Sequence, residues 1–318
     1  MPREIERIGA SLAVAHEECA HPANEEPAFE RGEGCADLGA QCRDLLPARI
    51  DAAGHERARE HIGMAVEILC RRMEDDIGAE RQRRRGDGSA CRRIGGSEIA
   101  NDGRLTARPR TGVKTSSTGQ IMLGLNQERD AVLQIPKNAG ETPLPLLVML
   151  HGATQSAEDM FWYLGSVHEE TGVAVLAPNS RDTTWDAIGG SFDVDVADLN
   201  RALERTFEKV AVDPARIAIG GFSDGASYAI SLGLINGDLF KSVVAFSPGF
   251  VISGEEHGKP RVFISHGTHD RILPISRCGR RIAAELKAHG YDVTFREFDG
   301  DHEIPADIAR EGLLSISK

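Results

Sequence analysis

The chain of 318 residues has no cysteine pair at C-x-x-C spacing, and no apolar run approaches the roughly 18 residues of a membrane span. The first absence withholds the signal of a structural zinc site or a dithiol redox motif, and the second that of a transmembrane helix. Positive charge is also short: 37 Lys plus Arg face 49 Asp plus Glu, a formal net charge of −12. Nothing global therefore draws the chain to phosphate, and general nucleic-acid binding is not expected. Aromatic residues make up only 5%. What is present is a hydrophobic fraction of 41%, with a mean hydropathy of −0.28, enough apolar material for a core.

These scarcities are unevenly spread. Residues 1–110 contain 18 Arg and no Lys, and residues 111–318 contain 12 Arg and 7 Lys. Cys19, Cys35, Cys42, Cys70 and Cys91 precede the boundary and only Cys278 follows it, while both Trp and all three Tyr follow it. Residues 1–110 thus read as an Arg- and Cys-rich extension, poorly ordered or partly helical, and residues 111–318 as the folded domain. Three readings of the extension compete. A metal or disulfide module built on Cys35, Cys42, His16 and His21 lacks the usual spacing. An amphipathic helix over 55–85 is suggested by Ile62, Ala65, Val66, Leu69 and Met73, with a basic end at Arg81 to Arg85. The third reading, which composition favours, is that coding begins downstream, near Met122 or a little earlier. The start shows no secretory h-region and cleavage site, so the expected location is cytoplasmic. Oligomeric state is not legible.

From Gly119 onward the pattern alternates strand and helix. Strands are expected at 131–135, 146–150, 173–177, 216–220, 242–246, 261–265 and 292–298. Helices are expected at 156–171, 195–210, 226–235, 277–289 and 304–316. Runs such as Leu146–Leu150 are apolar throughout, as in strands covered on both faces. The class is α/β: an open, mostly parallel sheet with helices on both faces, whose ligands bind beyond the C-terminal strand ends.

The reactive residues fall at those ends. After Arg216–Gly220 comes Gly221-Phe222-Ser223-Asp224-Gly225 and then a helix. Chance alone gives roughly 0.2 such pentapeptides in a chain of this composition, so the bare motif is weak and its strand–turn–helix context carries the weight. A strand turning sharply into a helix crowds its flanks, which accounts for Gly221 and Gly225. It also lifts the Ser223 hydroxyl to a helix N-terminus that favours negative charge. After Leu146–Leu150 comes His151-Gly152-Ala153-Thr154, a loop able to present the Ala153 amide beside the Asp224 amide as an oxyanion hole. Asp270 follows the strand at 261–265, and His302 precedes the last helix. Ser223, Asp270, His302 is the chain order of serine, acid, histidine. His266 and His269 are rival bases but would break that order. Asp193 and Asp195 precede the serine and read as helix caps. Asp299, Asp301 and Glu303 are expected to stabilise the charged form of His302.

Leu150–Gln155, Thr183–Asp186, Val212–Ser227, His266–Pro274 and Asp301–Pro305 together resemble the serine esterases of the α/β-hydrolase superfamily. The likeness is to the phospholipase/carboxylesterase and polyhydroxybutyrate-depolymerase-like group, over roughly 195 residues from Leu123. The resemblance implies Ser223 as nucleophile, His302 as general base and then acid, Asp270 as orienting carboxylate, and Ala153 and Asp224 as oxyanion amides. The mechanism it implies needs no cofactor and no metal, and the chain has no insertion large enough for a cap domain, so an open site is expected. The substrate expected is a small-molecule ester of short to medium acyl chain. A polymeric ester, thioester or lysophospholipid stands as the alternative, and a non-catalytic hydrolase-fold binding protein as the remote one. His151 is expected to support the oxyanion loop from below, and Trp185, Phe161 and Trp162 to line the substrate pocket. Two departures stand out. Asp224 replaces the Asn, Gln or small residue frequent after the serine, which should disfavour anionic acyl groups, and Asp301 replaces a Gly frequent before the histidine.

Overall fold

The architecture comes from a computed structural model that describes residues 102–316, apart from 127–128 and 190–191. The helix expected over 55–85 and the five early cysteines lie outside the described residues. The strands are β1 (Gly119–Met122), β2 (Val132–Ile135), β3 (Leu144–Leu150), β4 (Ala174–Ala177), β5 (Val212–Phe222), β6 (Ser242–Phe246), β7 (Arg261–Gly267) and β8 (Val293–Phe298). The helices are α1 (Ala157–Leu164), α2 (Val167–Thr171), α3 (Asp186–Gly189), α4 (Val194–Lys209), α5 (Asp224–Ile235), α6 (Gly279–Ala288) and α7 (Ala306–Ile316). Among the described residues no cap layer is inserted between these elements. Among the described residues no helix is long and apolar enough to cross a membrane.

The strands form one sheet in the order β1-β2-β4-β3-β5-β6-β7-β8. Pairing is parallel from β4 through β3 to β8, and antiparallel only where β1 meets β2 and β2 meets β4. Each central strand feeds apolar side chains to both faces, because successive side chains point to opposite sides. Leu146, Val148 and Leu150 join the core under α4, α5 and α6, while Leu147 and Met149 join the one under α1, α2 and α7. This double covering is why the strands read as unbroken apolar runs.

Three differences from the sequence reading have local causes. The helix expected over 156–171 is two helices, because Gly165 takes a left-handed φ of +50° after Leu164 and the chain turns there. β5 starts at Val212 rather than Arg216; its register to β3 jumps between Leu144 and Leu146, and that irregularity accommodates Pro214, which cannot donate to a ladder. β1 is a short edge strand of alternating exposure whose sequence, GQIM, carries no apolar run.

Residues 103–108 lie on the extension side of the compositional boundary, yet they dock on the domain. Leu105 and Ala107 are buried. Arg104 donates to the Ile235 carbonyl and pairs with Asp238, and the Asn236 and Asn200 side chains accept from the backbone amides of 105, 106 and 107. The packed chain therefore includes residues before both Arg110 and Met122.

Candidate active site

Ser223 stands between the last residue of β5 and the first of α5, with φ 57° and ψ −119°. A non-glycine residue held there stores of order 1–3 kcal/mol of strain, which the surroundings must over-determine. They do: the Ser223 amide donates to the Phe246 carbonyl of β6 at 2.9 Å. The flanking glycines are needed for space. A Cβ on Gly221 would lie 2.3 Å from the Gly225 carbonyl oxygen, and one on Gly225 would lie 2.3 Å from that of Leu150. The second clash comes from the end of β3, so Gly225 also lets α5 approach the neighbouring strand.

His302 and Asp270 meet directly. His302 Nδ1 lies 2.6 Å from Asp270 Oδ2. The other oxygen, Oδ1, accepts from the amides of Ile272 and Leu273 at 2.9 and 2.8 Å. His266 is fully buried; its Nε2 lies 2.6 Å from the Leu273 carbonyl oxygen and 3.2 Å from Asp270 Oδ2. Burial alone would raise the Asp270 pKa, but the hydrogen bonds from His266 and His302 outweigh it and hold the carboxyl below the usual carboxylate range. The Phe222 ring packs against His302 at 4.7 Å between centroids. Ser223 Oγ is hydrogen-bonded to none of the described residues. The structure thus joins Asp270 to His302 and sets Ser223 just beyond the C-terminal end of β5 in the same sheet.

The other histidines have different partners. His269 is exposed and pairs with Asp299, whose Oδ1 lies 3.1 Å from its Nδ1. Asp301 Oδ1 accepts from the backbone amides of Arg271 and His302, and Glu303 Oε1 from that of Asp301. The three acids expected to support the His302 ring are thus engaged with His269 and with loop backbone, and Asp270 is the carboxylate at the imidazole. Asp195 is buried and ties down a loop by accepting from the Arg181 and Asp186 amides; burial pushes its pKa up to about 6 against those bonds. Cys278 is buried, which pushes its thiol up to about 12 and leaves it inert. Among the described residues no group of three His, Cys, Asp or Glu is arranged to hold a metal ion.

The loop carrying Ala153 is held from several sides. His151 is fully buried, and burial, helped by the Arg129 charge and opposed by the bond to Gly152, lowers its pKa to about 4. The ring is therefore neutral near pH 7. Its Nδ1 lies 2.7 Å from the Gly152 carbonyl oxygen, and its Nε2 accepts from the Ser180 amide at 3.0 Å. One tautomer, with the proton on Nδ1, satisfies both. Gln155 Oε1 accepts from the Gly152 amide, and Gln155 Nε2 donates to the Tyr163 hydroxyl. Arg129, in the turn between β1 and β2, donates to the Gln155 carbonyl at 2.9 Å. The loop passes close over the serine: a Cβ on Gly152 would stand 3.3 Å from Ser223 Cβ.

The expected pocket aromatics are placed otherwise. Trp185 is only 1% exposed and cannot touch a substrate. Its indole N–H donates to the His151 carbonyl at 2.8 Å, and its ring stacks on Tyr228. It buttresses the loop carrying Ala153 instead. Phe161 faces His168 at 6.5 Å, and Trp162 is 78% exposed. The face of α1 turned to the site carries Tyr163, whose ring lies 5.1 Å from Phe222. Trp185→Phe keeps the stack but removes the donor. It is expected to cost about 1–3 kcal/mol, read as a fall of several degrees in melting temperature, with a loss of ester turnover that exceeds what unfolding explains.

Residues 191–312 match the model of the phospholipase/carboxylesterase family. A carbohydrate esterase from gut microbiota, in truncated form, superposes with a TM-score of 0.52 at 16% identity, covering 66% of this chain and 98% of that one. The fluorophosphonate-binding serine hydrolase F of Staphylococcus aureus superposes with a TM-score of 0.50 at 16% identity, covering 60% of this chain and 92% of that one. The chain has the α/β-hydrolase fold. Within this fold, the segment matched by the family runs from before α4 into α7 and includes Ser223, Asp270 and His302. Acyl-protein thioesterase 1 of Gibberella zeae is 29% identical over 96 residues, which is 27% of this chain and 40% of that protein. The match therefore spans less than half of that relative's length.

Sequence reasoning missed Arg129 and Tyr163. A lone arginine in a turn and one of three consecutive aromatics carry no signal of where the fold will place them.

Proposed function

We propose that the protein is a serine hydrolase of carboxylic esters of short to medium acyl chain. The observation that carries this reading is the Asp270–His302 hydrogen bond beside a serine in elbow geometry. In this mechanism His302 Nε2 takes the Ser223 hydroxyl proton as Oγ attacks the ester carbonyl. Asp270 keeps the second imidazole proton on Nδ1 and stabilises the imidazolium. The Ala153 and Asp224 amides receive the oxyanion, each worth about 3 kcal/mol in such sites. The protonated His302 gives its proton to the departing alcohol, and water then hydrolyses the acyl-enzyme by the same steps.

A second reading, thioester hydrolysis by the same residues, is favoured by the partial match to an acyl-protein thioesterase. Both pass through one acyl-enzyme and differ in leaving group. The test is kcat/KM for matched oxygen esters and thioesters from two to ten acyl carbons, beside a polyester emulsion. The ester reading expects a maximum among short soluble oxygen esters. Preference for thioesters at every chain length would replace it with the second reading, and turnover confined to the emulsion with a polymer hydrolase.

A further inference from the structure

We propose that the site selects acyl groups that carry a hydroxyl near the carbonyl, and that the Asp224 carboxyl is the group that receives it. The inference rests on the reading of Ser223 as nucleophile and goes beyond it to the substrate.

Asp224 is the first residue of α5 and 8% exposed. A carboxyl has two oxygens and about four acceptor positions. Among the described residues this one receives a single hydrogen bond, from Thr184 Oγ1 to Oδ2 at 2.8 Å. By contrast Asp270, at comparable burial, receives bonds on both oxygens. Buried polar groups are rarely left so short of partners without a functional reason. Nor is the spare capacity sealed inside the protein. Among the described residues the fully enclosed side-chain atoms without a partner are on Arg129, His168, Ser247, Ser265 and His266, not on Asp224.

Position says what could reach it. The Asp224 amide is the proposed oxyanion donor, and the carboxyl branches from the same residue. On this proposal an acyl group on Ser223, its oxygen held by that amide, brings its first carbons toward this side chain. Burial raises the Asp224 pKa, while the Thr184 bond and His302 oppose the rise. A hydroxyl suits either protonation state, since it can both donate and accept. An anionic acyl group suits only the neutral acid, and an alkyl group leaves the oxygen unpaired.

The experiment compares near-isosteric pairs on the wild type: phenyl glycolate with phenyl propionate, and phenyl 3-hydroxypropionate with phenyl butyrate. Each kcat/KM is divided by the ester's own hydroxide-catalysed rate. The hydroxylated member is expected to lead by at least about tenfold in one pair. In Asp224→Ala that ratio is expected to fall to within about twofold of unity, and in Asp224→Asn, which keeps an acceptor, to persist in part. Equal rates in both wild-type pairs, or a preference that survives Asp224→Ala, overturns the inference. Should the alanine variant not fold, the wild-type pairs and the asparagine variant still decide. Propionate turnover that depends on Ser223 but shows no hydroxyl preference removes this inference alone; turnover that survives Ser223→Ala removes the reading beneath it.

Discussion

Replacing Ser223 with alanine is expected to lower kcat for a short phenyl ester by about 10⁵- to 10⁶-fold and to leave the melting temperature nearly unchanged. The two halves of that expectation have separate causes. Turnover collapses because no other described side chain stands at the elbow between β5 and α5 with a hydroxyl free of hydrogen bonds to its surroundings. Stability persists because what holds residue 223 is backbone: its amide on the Phe246 carbonyl, and its own carbonyl accepting from the Ala226 and Ser227 amides at 3.0 and 3.1 Å. Alanine makes the same bonds in the same strained conformation. Steady-state kinetics beside circular dichroism and thermal melting check both halves. Retained turnover with an intact fold removes Ser223 from the mechanism.

Asp270→Asn is expected to lower kcat by about 10⁴-fold, by a route the hydrogen bonds specify. Oδ1 accepts from the Ile272 and Leu273 amides, so the asparagine carbonyl stays on that side. The new NH2 group then faces His302 Nδ1, where a carboxylate oxygen stood. To avoid donor against donor, His302 must carry its proton on Nε2, the nitrogen that has to take the proton from serine. His266 loses its bond to Oδ2 but keeps the Leu273 carbonyl, so the loop survives. Stability should change with a definite sign. The native Asp270 pKa lies below the unfolded one, so the ionised carboxyl stabilises the fold at neutral pH and that contribution is lost as pH falls below about 4. The wild type should therefore be the more stable near pH 7, and the gap to the variant should narrow on acidification. Denaturant unfolding near pH 7 and at a pH well below about 4 checks this, and a gap that widens in acid contradicts it.

The features legible in the sequence were those set by short-range rules. Apolar runs such as Leu146–Leu150 disclosed buried strands, and the glycines at 221 and 225 disclosed a turn too crowded for side chains. Chain order indicated which aspartate and which histidine to consider, and the structure brings that pair, Asp270 and His302, into contact. What escaped depends on which way a side chain faces once helices and loops are packed. Phe161, Trp162 and Tyr163 are consecutive on α1, where each step rotates the side chain by about 100°. Only the docking of α1 on the sheet decides that Tyr163 meets Phe222 while Trp162 meets solvent. Trp185 follows a strand end, as a pocket residue would, but its indole finds the His151 carbonyl below the loop. Composition also located a boundary at Arg110, although Leu105 and Arg104 are anchored to α5 and the turn after it. Composition averages over a window and is blind to a strap of six residues.

Whether Ser223 is the nucleophile is tested directly by treating the full chain with an alkyl fluorophosphonate, an ester-like electrophile that captures an activated serine, and locating the adduct by peptide mass spectrometry. One adduct is expected, on Ser223, forming in step with the loss of ester turnover and absent in Ser223→Ala. An adduct on another serine that tracks the loss, or full turnover after Ser223 has been modified, contradicts it.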